Sequence, residues 1–307
     1  MAAPYRVPLE SPCAEPALGR IASFIAGATR QRYVPVREIG RGGMSRVYLA
    51  RDREAARLVA IKVLLQGPGT SVADRERFRR EALIARQLEH PHIVPCYEFV
   101  RRDGLALAVM RYVPGVSLAE AWANGRRFTA TEVVALLAPI ADALGHAHQH
   151  GVIHRDVKPA NILLHERAGV PFLTDFGIAT LRTSEQSRAE SGRPFGTPEF
   201  MSPEQAAGAW DADHRSDIYS LGLVAYLLLS GQLPFRGSTP LALAAQRVVL
   251  EPPPLAAVTG EVPPRLARVI DRCLAREPRR RWRDARVLRR ALLRFDQRPA
   301  WFRWWRA

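Results

Sequence analysis

The N-terminal third of the chain shows the alternation of apolar and polar positions that is typical of β-strands. The segments with this pattern are 33–39, 47–50, 58–64, 93–100 and 105–112. Asp103-Gly104, between the last two segments, predicts a hairpin turn. A helical pattern over 73–88, ended by His90-Pro91, separates the third strand from the fourth. These patterns predict a small antiparallel sheet with one helix.

The rest of the chain has the period of amphipathic helices. Thr129 and Glu132 form a capping box in front of the first long apolar helix, which ends at Gly151. Further helices are predicted over 216–231, 240–249, 264–275 and 283–295. A β-rich half followed by a helical half predicts an α+β architecture in two lobes.

Both ends of the chain differ from this globular part. Residues 1–32 are rich in proline and alanine, with a short helix predicted over 17–30. The expected divisions are an extension over 1–32, a globular domain over 33–295 with lobes at 33–112 and 114–295, and a tail over 296–307. The start of the chain lacks the pattern of a signal peptide, and no window of about 18 uninterrupted apolar residues is present. We therefore expect a cytoplasmic protein.

Composition narrows the class of protein. The 307 residues are 47% apolar and 24% charged, which is typical of globular domains. Three cysteines, Cys13, Cys96 and Cys273, are odd in number and lack CxxC spacing. Neither a disulfide framework nor a zinc site is therefore expected.

The basic residues are almost all arginine. The chain carries 45 Lys+Arg and a net charge of +15, yet its only lysines are Lys62 and Lys158. An ammonium is a compact point charge, and an arginine does not replace it easily where phosphate oxygens must be reached at close range. The two lysines are therefore candidates for phosphate contacts.

A cluster of polar residues lies between two apolar runs at 152–164. Its members are His154, Arg155, Asp156, Lys158 and Asn161. Charged side chains between strand-like runs indicate a loop aimed at a site. In phosphoryl transfer an aspartate accepts the proton of the attacking hydroxyl, a lysine neutralises the phosphoryl group and an asparagine holds a metal ion.

Three further motifs lie before and after this loop in the sequence. The first is a glycine-rich stretch over 40–47 between two predicted strands, where glycines let the backbone approach phosphates. Val59-Ala-Ile-Lys62 follows it, and Thr174-Asp175-Phe176-Gly177 comes after Asp156. Together the motifs resemble the eukaryotic-like (Hanks-type) serine/threonine protein kinases, most closely the bacterial branch, over about 33–295.

The resemblance implies a fold, a reaction and cofactors. The fold is bilobal, with a small antiparallel β-sheet N-lobe carrying one main helix and a larger, mostly helical C-lobe. The reaction is ATP-dependent phosphorylation of serine and threonine residues on proteins, since Lys158 two residues after Asp156 marks that class. The cofactors are ATP and Mg²⁺ or Mn²⁺.

The resemblance also assigns the catalytic roles. Asp156 orients the acceptor hydroxyl and Lys158 stabilises the transferring phosphoryl group. Asn161 and Asp175 hold the metal ions. Lys62 holds the nucleotide phosphates and pairs with a carboxylate on the following helix, for which Glu81 is favoured, Glu76 is second and Asp74 also competes.

The implied ATP pocket comprises Ile39, Gly40, Arg41, Gly42, Gly43, Met44, Ser45, Arg46, Val47, Ala60, Lys62, Met110, Tyr112 and Val113. Two positions depart from the family pattern. Ser45 stands at the third glycine, where its hydroxyl could still donate to a phosphate. Arg111 stands at the first hinge position in place of an acidic residue.

Structural or substrate roles are implied for four more residues. Thr197 shapes the pocket next to the acceptor hydroxyl, and Asp217 braces the catalytic loop. Glu204 pairs with Arg281, for which Arg279 and Arg280 are rivals in Pro278-Arg-Arg-Arg281.

Arg155 is expected to bind a phosphate on the activation loop at 178–195. The phosphorylation candidates are Ser191, which is favoured, and Ser187, Ser184 and Thr183. Autophosphorylation would involve self-association of the chain.

The C-terminal region is strongly basic. Residues 265–307 contain 15 arginines and four acids, and Trp301, Trp304 and Trp305 alternate with arginines near the end. One interpretation is an arginine-rich helical surface with the tail packed on the C-lobe. The other is contact with an anionic membrane surface, which would place the protein peripherally at the inner face of the membrane. No nucleic-acid recognition motif is present.

Two other functions compete with an active protein kinase. A pseudokinase scaffold would bind nucleotide without turnover, but it usually lacks one of the residues equivalent to Lys62, Asp156 and Asp175. A small-molecule phosphotransferase would not be expected to carry the segment from Thr197 to Glu204. A metal cluster of His146, His148, His150 and His154 is disfavoured because the catalytic loop and its preceding helix already use these positions.

Overall fold

Two compact units make up the chain in a computed structural model. The first comprises Met1–Pro68 and Cys96–Tyr112, and the second comprises Gly69–Pro95 and Val113–Ala307. The structure describes residues 15–41, 45–65, 86–102, 105–167, 169–176, 198–208, 212–237 and 239–295. The helix predicted over 73–88 lies mostly outside these ranges.

The first unit is a five-stranded antiparallel sheet. Its strands are β1 (Tyr33–Arg41), β2 (Ser45–Asp52), β3 (Arg57–Leu65), β4 (Cys96–Arg102) and β5 (Leu105–Arg111), in the order β1-β2-β3-β5-β4. The fourth strand begins at Cys96 rather than at Ile93, because Ile93 forms an isolated parallel bridge with Leu173 in the second unit.

A helix that precedes the sheet covers one of its faces. Helix α1 (Glu15–Ala28) places Ile25, which is fully buried, against Tyr33, Tyr48 and Ile61. The sheet residues on this side are large and apolar, and burying such side chains is the main favourable term in folding. The helix is therefore part of the first unit's core.

An ion pair fixes the junction between α1 and the sheet. Arg32 donates from Nε and Nη2 to the two carboxylate oxygens of the buried Asp52, each at 3.0 Å. The hydrogen bond from Arg32 lowers the pKa of the Asp52 carboxyl, although burial opposes it. Asp52 also accepts from the amides of Glu54 and Ala55, which closes the β2–β3 turn.

The opposite face of the same sheet carries candidate nucleotide residues. Val47 is the cross-strand partner of Lys62, and Ala60 is the partner of Met110. Because partners across a ladder and residues two apart on one strand share a face, these four side chains lie on one side of the sheet. Lys62, Ala60 and Met110 are each 8% exposed.

The second unit is helical with a small three-stranded sheet. Its elements are β6 (Gly115–Ser117), α2 (Leu118–Ala123), α3 (Ala130–Gln149), β7 (Ile162–His165), β8 (Pro171–Leu173), α4 (Pro203–Ala206), α5 (Arg215–Ser230), α6 (Pro240–Val249), α7 (Leu255–Val258), α8 (Pro264–Cys273) and α9 (Ala285–Phe295). The sheet order is β6-β7-β8. The Thr129–Glu132 capping box is present at the start of α3.

Helices α3 and α5 form the centre of this unit. Most residues of both are buried, including Leu137, Ile140 and Leu144 on α3. Among the described elements α3 alone is long and apolar enough to cross a membrane, but it packs within the unit's hydrophobic core. This core supports the loop between α3 and β7 that carries the predicted catalytic residues.

Candidate active site

Two neighbouring donors hold the side chain of Asp156 in the loop between α3 and β7. Lys158 Nζ lies 2.8 Å from Asp156 Oδ2. Asn161 donates from Nδ2 to the Asp156 carbonyl oxygen at 2.8 Å and to Oδ2 at 3.2 Å. These contacts fix the orientation of the Asp156 carboxylate and bring all three residues to one place.

Asp217, on helix α5, braces the loop from inside the unit. Its carboxylate is fully buried and accepts from the amides of His154 at 2.8 Å and Arg155 at 2.7 Å. His148 on α3 donates from Nε2 to the same carboxylate at 2.8 Å. Burial alone would raise the pKa of Asp217, but the hydrogen bonds and the neighbouring histidines outweigh burial and lower it. The brace is therefore a charged carboxylate.

Arg155 adopts a left-handed backbone conformation, with φ of 63°. Such a conformation is unfavourable for a residue with a Cβ atom and persists where surrounding contacts impose it. Both backbone polar groups of Arg155 are held by side chains, the amide by Asp217 and the carbonyl by Gln205 Nε2 at 2.9 Å. The strained residue therefore directly precedes Asp156.

His154 joins the loop to the strand that carries Asp175. The amide of Asp156 donates to His154 Nδ1 at 3.2 Å, and His154 Nε2 lies 2.8 Å from the Thr174 carbonyl oxygen. Together these bonds require the tautomer with the proton on Nε2. The imidazole also packs edge-on against Phe176, with ring centroids 4.7 Å apart.

Asn161 and Asp175 come from adjacent ends of β7 and β8. The pairing of Ile162 with Leu173 and a 3.0 Å hydrogen bond from the Thr174 amide to the Asn161 carbonyl align the two ends. Asp175 has a left-handed φ of 68°. One amide oxygen and one carboxylate fit a hard divalent cation such as Mg²⁺, which usually takes few protein ligands and completes its shell with phosphates and water.

The histidines near this loop serve as hydrogen-bonding groups. His148 and His154 contact Asp217 and Thr174 as described, and His150 Nδ1 lies 2.9 Å from the His146 carbonyl oxygen. Among the described residues no group of three His, Cys, Asp or Glu could hold a metal ion.

The described residues of the predicted nucleotide pocket lie on four strands of the first unit and in the segment that follows β5. Ile39, Gly40 and Arg41 end β1, and Ser45, Arg46 and Val47 begin β2. Ala60 and Lys62 lie on β3, Met110 lies on β5, and Tyr112 and Val113 follow where the chain passes into the second unit. Gly42, Gly43, Met44, Glu81, Glu76 and Asp74 lie outside the described residues.

A buried ion pair anchors the segment that begins at residue 198. Arg281 donates from Nη1 and Nη2 to the two oxygens of Glu204, each at 2.7 Å, and Ser216 donates to Glu204 at 2.6 Å. Burial would raise the pKa of Glu204, but Arg281 outweighs burial and lowers it. Arg279 and Arg280 are exposed, so Arg281 is the partner among the three rivals. Thr197 and the phosphorylation candidates Thr183, Ser184, Ser187 and Ser191 lie outside the described residues.

Sequence reasoning missed three residues that support the site. The sequence pattern gives His148 no role beyond a disfavoured metal cluster, and it indicates Ser216 only as the start of a helix. Gln205 carries a readable signal, since Ser202-Pro-Glu-Gln205 is a capping box, which the structure contains. Its second contact, to the Arg155 carbonyl, could not be predicted from local spacing.

Comparison with known proteins shows the family of the chain. A family model described as "Protein kinase domain" matches residues 33–292. The chain belongs to the protein kinase family. Its solved structural relatives include the PknI kinase domain of Mycobacterium tuberculosis, with a TM-score of 0.69 and 33% identity over 86% of this chain and 96% of that one. The bilobal kinase fold expected from the sequence is confirmed.

Curated relatives are bacterial serine/threonine-protein kinases. PknB of Mycolicibacterium smegmatis is 39% identical over 267 residues, covering 85% of this chain and 42% of that protein. PrkC of Bacillus subtilis is 37% identical over 254 residues, covering 83% of this chain and 39% of that protein. The chain therefore spans about two fifths of the length of these relatives, and the resemblance to the bacterial branch of the family is confirmed.

Proposed function

We propose that this kinase domain transfers the γ-phosphoryl group of ATP to serine and threonine residues of proteins. The observation that carries the proposal is the braced loop in which Lys158 and Asn161 both contact Asp156, beside the strand end that carries Asp175. Phosphoryl transfer depends mainly on positioning and charge stabilisation. This loop provides both, because its charged groups are fixed before an acceptor arrives.

Each residue has a distinct task in this proposal. Asp156 orients the acceptor hydroxyl and takes its proton, and Lys158 stabilises charge on the transferring group. Lys62, with Glu81, positions the nucleotide phosphates. Asn161 and Asp175 hold Mg²⁺ or Mn²⁺, which supplies charge neutralisation on the phosphates when bound.

The alternative within the same fold is a pseudokinase scaffold. The presence of Lys62, Asp156 and Asp175 together favours turnover. Incubation of the chain with radiolabelled ATP, Mg²⁺ and a generic protein substrate tests the proposal, with Asp156→Asn prepared in parallel to exclude a contaminating kinase. We expect label on phosphoserine and phosphothreonine after acid hydrolysis. Thermal stabilisation by ATP without transfer would instead support the scaffold.

We also propose that the chain phosphorylates its own activation loop, by self-association of two copies. Ser191 is favoured among the four candidates, because it precedes Thr197 by six residues and a phosphate there could pair with Arg155. We expect mass spectrometry after ATP incubation to find loop phosphate in the wild type and none in Asp156→Asn.

Substitution Ser191→Ala separates this site from the other three candidates. Loss of most loop phosphate in that variant is the expected result, and labelling should accelerate with protein concentration if two copies react. An active wild type without any loop phosphate would contradict the proposal.

A specific surface supports peripheral membrane contact of a cytoplasmic protein. Helices α8 and α9 border a groove of about 470 Å³ with an apolar floor and a rim of exposed arginines. The floor is Val269, Trp282, Val287 and Ala291, and the rim is Arg265, Arg290 and Arg294. Each arginine near an anionic bilayer adds about 1 kcal/mol to binding. The Trp- and Arg-rich segment 296–307 follows α9 directly in sequence.

Flotation with vesicles tests this contact. We expect the full chain to float with vesicles rich in anionic lipid and not with neutral vesicles, and less so at high salt because the attraction is screened. Deletion of residues 298–307 should reduce flotation, and Arg290→Gln with Arg294→Gln should reduce it further. Flotation that is equal for all variants would exclude this surface and favour packing of the tail on the domain.

A further inference from the structure

The turn Pro198–Phe200 is held by side chains from two helices. Arg247, on α6, donates from Nη1 to the carbonyl oxygen of Pro198 and from Nη2 to that of Glu199, the latter at 2.9 Å. Ser220, on α5, donates to the carbonyl oxygen of Phe200 at 2.7 Å. All three carbonyls of the turn therefore point at side-chain donors, and the turn directly follows Thr197 in sequence.

Arg247 is unusual because its guanidinium is buried. The residue is 1% exposed, and the hydrogen bonds from Nη1 and Nη2 go to main-chain oxygens of the turn rather than to a carboxylate. Burial lowers the pKa of Arg247. A buried cation without a carboxylate is costly unless hydrogen bonds compensate, and here main-chain oxygens accept from Nη1 and Nη2, while Nε is buried without a hydrogen-bond partner among the described residues.

The contact fits an arginine better than a lysine. Two adjacent carbonyl oxygens accept from two nitrogens of one planar fork, and an ammonium, whose donors all lie on one nitrogen, reproduces that geometry only in part. The Phe235 ring, 5.8 Å from the guanidinium carbon, lines the same buried space. The turn therefore engages the two terminal nitrogens of the guanidinium.

We propose that Arg247 is a positioning residue for the protein substrate, setting the place of the turn after Thr197 and hence of the pocket for the acceptor residue. The inference rests on the proposed kinase function and on the substrate role of Thr197. The same segment contacts the catalytic loop five residues beyond Phe200, where Gln205 donates to the Arg155 carbonyl. The turn is therefore fixed between helix α6 and the residue that precedes Asp156.

The proposal predicts an effect that is selective for the protein substrate. Arg247 makes no hydrogen bond to Lys62, Asn161 or Asp175 among the contacts of the described residues. Displacement of the turn should therefore weaken acceptor binding and leave nucleotide binding intact. A merely structural arginine would change both or neither.

Steady-state kinetics with a serine peptide and varied ATP test this selectivity. We expect Arg247→Met, which keeps the length and loses the donors, to raise the KM for peptide about tenfold, equivalent to about 1.4 kcal/mol. The KM for ATP should stay within about twofold of wild type. Arg247→Lys should recover part of the loss. Arg268→Met, at an exposed arginine of α8, is the matched control and should match wild type.

The outcomes separate this inference from the kinase proposal. A wild type that labels no serine or threonine contradicts the proposed function itself. An active wild type with an unchanged peptide KM in folded Arg247→Met overturns the positioning role alone, and so does an equal rise in both KM values. Should Arg247→Met fail to fold, Arg247→Lys decides, since an unchanged peptide KM in that variant also overturns the role.

Discussion

Asp156→Asn is expected to lower the rate of phosphoryl transfer about a thousandfold while the domain stays folded. Removal of a positioned acid–base group typically costs a factor of about 10² to 10⁴. The asparagine side chain has nearly the same shape, and its oxygen can still accept from Lys158 and Asn161, whose donors lie 2.8 and 3.2 Å from Oδ2 in the wild type. The loop geometry should therefore survive although the proton acceptor is lost.

Three measurements on the variant check this expectation. Initial rates with radiolabelled ATP should fall, the unfolding midpoint should remain close to that of wild type, and ATP with Mg²⁺ should still stabilise the protein. Asp213→Asn makes the same chemical change at a half-exposed aspartate whose oxygen accepts from a neighbouring amide, and it should retain activity. A fully active Asp156→Asn would show that the transfer does not use this loop as proposed.

The residues of this loop could be predicted from the sequence because their contacts are local. Asp156, Lys158 and Asn161 lie within six positions of one another, so spacing in sequence nearly determines spacing in the loop. Strand alternation and helix caps behave similarly, and the capping boxes at Ser117, Thr129 and Ser202 are all formed within four residues. Patterns that span only a few residues can be recognised in the sequence without a structure.

The supporting contacts could not be predicted because they join distant segments. Gln205 reaches the Arg155 carbonyl across 50 positions, and Arg247 reaches the Pro198 carbonyl across 49. His148 meets Asp217 across 69 positions, and nothing in the local spacing indicates this contact. Polar side chains that form hydrogen bonds with main-chain groups far away in the sequence leave no periodic pattern.

The packing of helix α1 is a second feature that could not be predicted from the sequence. The sequence predicts a short helix over 17–30, but nothing local indicates that Ile25 packs on Tyr33, Tyr48 and Ile61. The packing depends on an uncovered apolar face of the sheet, which becomes apparent only once the register of β1, β2 and β3 is known. Burial of such a face is favourable, which explains why helix α1 packs there.

Glu204→Gln is expected to destabilise the second unit by about 3–5 kcal/mol, the usual cost of leaving one member of a buried ion pair without its partner. The Arg281 side chain is fully buried and that of Glu204 is 14% exposed. Arg281 also donates to the carbonyl oxygens of Ala275, Arg215 and Arg276, so it cannot turn to solvent without losing these bonds. Urea unfolding of the chain and its variants measures the loss.

Two further variants show whether the loss of stability in Glu204→Gln comes from the burial of the ion pair. Glu277→Gln breaks a 3.0 Å ion pair with Arg280, in which both side chains are more than half exposed, and it should change stability far less because exposed ion pairs add little. Combining Glu204→Gln with Arg281→Met removes the buried cation as well. The double variant should lose less stability than the two single losses added together.

The pH dependence follows from the lowered pKa of Glu204. A carboxyl whose pKa is lowered in the folded state stabilises the protein fully above its unfolded value of about 4.3, and this contribution disappears as the pH falls through the folded value. Wild type and Glu204→Gln should therefore differ most near neutral pH and converge in acid. A difference that stays constant from pH 7 down to the acid transition would show that the charge of Glu204 is not what stabilises the pair.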